Sequence, residues 1–335
     1  MHLLSVVDVG HGNCAIISSG GKNVVIDTAS RTHLLSYLEV NGITKIDVIV
    51  ISHSDQDHIG GLINVLSSTT IKVDQLIINP DAKKNSVLWA DVRSLVDKKV
   101  SEKSLALYTG VYAGGQNDSW AKISDRLALE VASPSPAMVL GGPGISLPEG
   151  NKNLTSNSAS IVVRVIFDGK AVALLTGDMD SIALAEIKRS GVDLKAPYLI
   201  FPHHGGLPGT IESEDFAEEI VSTVQPNSII FSNGRGRHDN PRPEIVRAVK
   251  AKTPEVYIAC TQLSKTCCEW PLDRADYQPR GYSAGSKNGE FCVGSFEINL
   301  ETGVASEEQL TAHRTFVAGL PKALCCSSGN IIVKG

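Results

Sequence analysis

The sequence predicts an α/β fold in which buried strands deliver polar residues at their carboxyl ends, and two stretches carry that prediction. Residues 47–51 form a short, nearly unbroken apolar run, the pattern of a strand buried on both faces. The run stops at His53, Asp55, Asp57 and His58, after which Gly60 and Gly61 lead into residues 62–66 at helical spacing. The second stretch is 161–175, where two apolar runs flank Asp168-Gly169. That dipeptide supplies the positive φ angles of a two-residue hairpin turn.

The remaining elements follow in order. Residues 3–9 and 14–18 read as two strands separated by Gly10 and Gly12, and 24–26 as a third. Asp8 and Asp27 end strands, where a turn-capping role and a place beside a cation are both open. Residues 31–39 have helical character, 71–78 read as a strand, and 85–100 place Leu88, Val92, Leu95 and Val96 on one helical face. Lys83 and Lys84, with Lys98 and Lys99, read as a solvated face. Residues 133–157, rich in Pro, Gly, Ser and Asn, form a long loop read as a flap near the site. Short strands are expected at 199–201, 228–231, 256–260 and 291–298, with a helix at 212–221 whose acidic first turn suits the helix dipole.

Four polar groups at 53–58 decide the chemistry. Two imidazoles and two carboxylates within six residues, at the end of a buried strand, repel and desolvate one another unless a cation joins them. A metal is the expected cation, because open α/β sheets place their sites at strand carboxyl ends. Asp178 ends the second strand of the hairpin, and the pair His203-His204 follows another short strand. Such a pair can place one imidazole on a metal and the other behind it. Arg235, Arg237, His238 and Arg242 form a compact basic cluster in a glycine-containing loop.

Composition narrows the class. The chain has 335 residues, 42% apolar and 20% charged, enough for a sizeable core. One large domain over 1–300 is expected, followed by a C-terminal extension at 301–335. A net charge of −5 does not advertise an extended nucleic-acid surface, although a local basic patch remains compatible with it. No apolar run approaches the length of a membrane span and no export signal is recognisable at the start, so a cytoplasmic protein is expected. The seven cysteines lack CxxC spacing and are expected to be structural thiols.

The motif HxDxDHxGG at 53–61 resembles the metal motif of the metallo-β-lactamase fold superfamily, in the variant with Asp at the second ligand position. More narrowly, the chain resembles the hydrolase domain of the ComEC/Rec2 competence protein group. The blocks DVGHGNCAII, VVIDTAS, ISHSDQDHIGGL, LLTGDMD and FPHHGG occur in the right order, with a weaker sixth at 233–244. The resemblance implies a four-layer αββα sandwich holding one or two divalent metals, Zn or Mn, at its edge.

It further implies His53, Asp55 and Asp178 at a first metal, and Asp57, His58, Asp178 and either His203 or His204 at a second. The wider superfamily supplies another His to the first metal from between these motifs, and no His lies between His58 and His203 here. The first position is therefore underfilled. His11 replaces the Gln of the group's DVGQGD block and Asn13 its Asp, and His238 is the nearest match to a GHP-type segment. The expected activity is hydrolysis of a phosphodiester, with nucleic acid or a nucleotide as substrate, Asp57 and His238 as catalytic residues, and Arg235, Arg237 and His11 at the substrate. Hydrolysis of another ester, thioester or lactam, and a non-enzymatic partner role, are the alternatives.

Overall fold

The computed structural model describes residues 2–115, 118–147, 153–269, 279 and 281–326. Fourteen strands are present among them: β1 (His2–Val6), β2 (Ala15–Ser19), β3 (Lys22–Ile26), β4 (Lys45–Ile51), β5 (Lys72–Ile78), β6 (Ala106–Tyr108), β7 (Leu127–Ser133), β8 (Val162–Phe167), β9 (Lys170–Leu175), β10 (Tyr198–Ile200), β11 (Ser228–Phe231), β12 (Tyr257–Cys260), β13 (Phe296–Asn299) and β14 (Val304–Ala305). They form two mixed sheets, in the orders β14-β13-β1-β2-β3-β4-β5-β6 and β12-β11-β10-β9-β8-β7.

Side-chain alternation along the strands explains the layering. In β4, Val48 and Val50 point into the core between the sheets, where they join Val163, Val165 and Leu175 of the second sheet. Ile49 and Ile51 point the other way, onto the helices His33–Val40, Leu62–Ser67 and Val87–Ser101. The second sheet repeats the arrangement, burying Leu174, Leu199 and Ile229 against Ser181–Ser190, Ser213–Val224 and Pro243–Lys252. Helix, sheet, sheet, helix is the result, an αββα sandwich. The apolar run of β4 is continuous because both its faces are covered.

Several elements depart from the sequence reading. The expected loop at 133–157 contains a helix, Pro136–Gly141, started by Ser135 Oγ accepting from Met138 N; its stretch 148–152 lies outside the described residues. The strand expected at 291–298 is only Phe296–Asn299, with Phe291 making an isolated bridge to Gln262. The segment after 300, which carries no motif, pairs β14 with β13 and forms a helix, Glu307–Ala318. That helix was hidden because its apolar residues are too few to mark a face. Beneath it Leu263, Cys268, Cys292, Val317 and Leu320 form an apolar cluster joined by Cys260, Cys267, Cys325 and Cys326. Among the described residues, no helix is long and apolar enough to cross a membrane.

The parallel pairings put the polar loops together. β9, β10 and β11 run parallel, as do β3 and β4, so their carboxyl ends release 178, 203–204 and 232–242 from one sheet and 27–29 and 52–58 from the other. Backbone bonds then lock loop to loop: Thr28 N donates to His58 O at 2.8 Å, Asn13 N to Asp57 O at 3.1 Å, and His203 N to Gly177 O at 3.2 Å. Gly61 is required by contact, since a Cβ there would lie 2.3 Å from Thr28 O.

Candidate metal centre

The ligand turn begins at the end of β4 and continues into a single helical turn, Gln56–Ile59, which carries Asp57 and His58. His58 is fully buried, and its Nδ1 is held by Asp27 Oδ2 at 2.8 Å. The same carboxylate accepts from Ser52 N at 2.7 Å and Ser52 Oγ at 2.8 Å, so Asp27 fixes both the turn and the tautomer of its imidazole. Of Asp8 and Asp27, both left open by the sequence, only Asp27 supports a residue of the polar cluster, His58. Asp8 is consumed elsewhere by Gln262, Ser283 and the N–H groups of Gly10 and Gly285.

With Nδ1 occupied, His58 aims Nε2 inward, 3.1 Å from Asp178 Oδ1. His204 does the same: its Nδ1 meets Ser232 O at 2.6 Å, and its Nε2 lies 3.5 Å from Asp178 Oδ1 and 3.3 Å from Asp57 Oδ2. Donor atoms of Asp57, His58, Asp178 and His204 all lie within 4.8 Å of one another. Four atoms around them, His53 Nε2, His58 Nε2, His204 Nε2 and Asp178 Oδ1, are buried with no aligned hydrogen-bond partner. Such atoms cost free energy unless something satisfies them. Three of them, His58 Nε2, His204 Nε2 and Asp178 Oδ1, belong to the four-residue cluster, and a divalent ion bound by nitrogen and oxygen donors fits among them.

Electrostatics agree. Burial alone would raise the carboxyl pKa values, yet hydrogen bonding to His11 and His204 holds Asp57 far below the usual carboxylate range, and the charges on His58 and His204 do the same for Asp178. Burial likewise opposes a charge on His58, but Asp178 and Asp27 overcome it and push its pKa well up; Asp178 and Asp57 also raise that of His204. The two carboxylates therefore draw protons onto the imidazoles, and a metal ion would take the place of those protons. His53 differs, because burial pushes its pKa down to about 4 and leaves it a neutral donor.

His203 and His204 lie in two different places. Both residues adopt left-handed backbone, φ 51° and 56°, at a cost of order 1–3 kcal/mol each. Gly205 follows at φ 76°, and a Cβ there would meet Pro241 at 2.6 Å and the Phe231 ring at 2.8 Å, so the FPHHGG block is a packed, strained turn. The turn points His204 into the buried cluster, while His203 is one-third exposed with Nε2 3.7 Å from Asp178 Oδ2. His53 Nε2 lies 3.9 Å from that same oxygen. Asp178 thus faces His58 and His204 with Oδ1, and His53 and His203 with Oδ2.

His11 does not fill the first position. Its Nε2 lies 3.1 Å from Asp57 Oδ2, beside His204 and against His238, with ring centroids 5.0 and 4.7 Å away. A cleft of about 630 Å³ opens over the donors and is lined by His11, Asp57, Asp178 and His204 together with Arg237, His238 and Arg242. Arg235, expected at the substrate, is a correction: its guanidinium is tied to the carbonyls of Leu263, Cys268 and Glu269, each at 2.8 Å. Arg242 takes its place on the cleft wall. Sequence reading also missed Ser160, whose Oγ lies 3.4 Å from His53 Nδ1, and Lys84, which is bonded to Asp55.

Comparison with known proteins matches this architecture. Residues 7–74 match the family model of the metallo-beta-lactamase superfamily. The fold is of the metallo-β-lactamase type. The chain is similar to ComE operon protein 3 of Bacillus subtilis (strain 168), 22% identical over 269 residues covering 74% of this chain and 30% of that protein. It is also similar to competence protein ComA of Neisseria gonorrhoeae, 23% identical over 255 residues, 74% of this chain and 29% of that one. The chain spans less than a third of the length of these relatives. Among solved structures, the metallo-beta-lactamase fold protein YhfI from Bacillus subtilis aligns over 79% of this chain and 98% of its own, at 12% identity and a TM-score of 0.46. The expected resemblance to the metallo-β-lactamase superfamily and the ComEC/Rec2 group therefore holds.

Proposed function

We propose that the chain is a metal-dependent hydrolase that cleaves a phosphodiester, in nucleic acid or a nucleotide. The observation that carries this reading is the cleft itself, where a largely buried nitrogen and oxygen donor set shares one space, sized for a small ligand, with Arg237, His238 and Arg242. Asp57, His58, Asp178 and His204 would hold a divalent ion, which would supply Lewis acidity and make hydroxide available near neutral pH. The rest is done by side chains. Asp57, with its charge facing His11 and His204, orients the cluster, and Arg237 presents its cation to the non-bridging phosphate oxygens, joined by the part of the Arg242 guanidinium not held by Glu244. His238, packed against His11 at the cleft surface, hands a proton to the departing oxygen as the phosphorus–oxygen bond breaks, while the attacking water bonds to phosphorus and gives up its proton to solvent.

Arg237→Ala combined with Arg242→Ala tests the substrate class. Metal content should be unchanged, while cleavage of a single-stranded oligonucleotide should fall about tenfold or more at low salt, and the deficit should shrink as salt rises. Hydrolysis of a small neutral ester such as p-nitrophenyl acetate should be unaffected. Equal oligonucleotide cleavage by parent and variant at low salt would remove the support for phosphodiester chemistry and favour another ester, thioester or lactam.

A further inference from the structure

The first metal position has a competitor for its carboxylate. Lys84 donates its ammonium to Asp55 Oδ1, leaving Oδ2 to face His53 Nε2 at 3.9 Å. Lys84 is not a loose surface cation, since its side chain is only 25% exposed. Its backbone is anchored by Asp81, a buried carboxylate that accepts from Lys83 N at 3.1 Å and Lys84 N at 3.0 Å. Asp81 also accepts from Ser54 Oγ and from Ser156 Oγ, each at 2.6 Å. Ser54 stands between the two donors His53 and Asp55 in sequence, so one buried carboxylate fastens the lysine turn directly to the ligand turn. Trp89 Nε1, donating to Asp81 O at 3.1 Å, ties that turn in addition to the helix Val87–Ser101.

A lysine ammonium and a divalent ion repel each other and seek the same carboxylate. Apart from the engaged Asp55, the first position offers His53 Nε2 and Asp178 Oδ2, 3.9 Å apart, with the half-buried His203 nearby. The second offers four donors within 4.8 Å. We propose that Lys84 is the built-in cation of the first position, so that the protein holds one divalent ion tightly, at Asp57, His58, Asp178 and His204, and a second only weakly. Lys84 then acts as a positioning residue for Asp55 and sets the metal stoichiometry. The inference rests on the metal-centre reading and not on the identity of the substrate.

The test is calorimetric titration of chelator-stripped protein with Mn²⁺ or Zn²⁺ alone, in parent, Lys84→Gln and Lys84→Arg, with metal counted after desalting. The parent should show one tight equivalent and a second event at least about tenfold weaker, and Lys84→Gln should tighten the second by about tenfold, the size of one partly buried charge-assisted contact. Lys84→Arg, which keeps the cation, should match the parent. Two equally tight equivalents in the parent, or an unchanged second event in Lys84→Gln, would overturn the proposal while leaving the metal centre intact. No tight ion in any form would overturn both, which separates the two failures.

Discussion

Asp57→Asn is expected to strip the tight metal from the protein and lower hydrolysis by about three orders of magnitude or more, because hydroxide formation at neutral pH depends on the ion. Asn is nearly isosteric, so the fold has no steric reason to change. What is lost is the negative charge that faces His11 at 3.1 Å and His204 at 3.3 Å, one of two carboxylates in the four-donor cluster. Elemental analysis per chain, run beside initial rates on the same preparation, checks it. Full metal content and full rate in the variant would show that Asp57 is neither a ligand nor a catalytic residue.

Asp27→Ala should be the most destabilising single change near the site. Its fully buried carboxylate satisfies His58 Nδ1, Ser52 N and Ser52 Oγ, with Asn13 Nδ2 a longer contact at 3.4 Å. Removing it leaves buried donors unmatched, at a cost of about 3–5 kcal/mol, a large part of the roughly 5–15 kcal/mol that stabilises a domain. The backbone adds to this, since Asp27 sits at φ 61°, which Ala tolerates poorly. Asp27→Asn keeps the shape and tolerates that backbone but cannot accept all the same bonds, and is expected to fold with metal affinity reduced about 10- to 100-fold. Urea denaturation, with and without added metal, reads both. A midpoint for Asp27→Ala equal to that of the parent would show that the Asp27 network carries no stability.

Much of this was legible in residue order because the strands that matter are simple. β4 is apolar on both faces and stops at the polar cluster, and the Asp-Gly turn joins β8 to β9 with Asp178 at its exit, so pattern alone located two of the converging loops. The His203-His204 choice was not legible, because it depends on two left-handed residues held by packing around Gly205, which periodicity does not report. Arg235 and Lys84 were misjudged for one reason: a cation in a polar loop looks solvated or substrate-facing until its partners are known. Arg235 is bound by three carbonyls from a segment about 30 residues away, and Lys84 by a carboxylate 29 residues before it. Contacts of that range leave no local mark. Asp27 lay between these cases, visible as a strand-end carboxylate but not as the partner of His58.

The central claim, that this donor cluster makes the chain a metal-dependent phosphodiesterase, is tested most directly by hydrolysis of bis-p-nitrophenyl phosphate at neutral pH during stepwise reloading of chelator-stripped protein with Mn²⁺ or Zn²⁺. Turnover should be negligible in the stripped protein and should rise in proportion to the first tightly bound equivalent, with Asp57→Asn inactive throughout. Protein that takes up a full tight equivalent and still leaves the diester intact would contradict it.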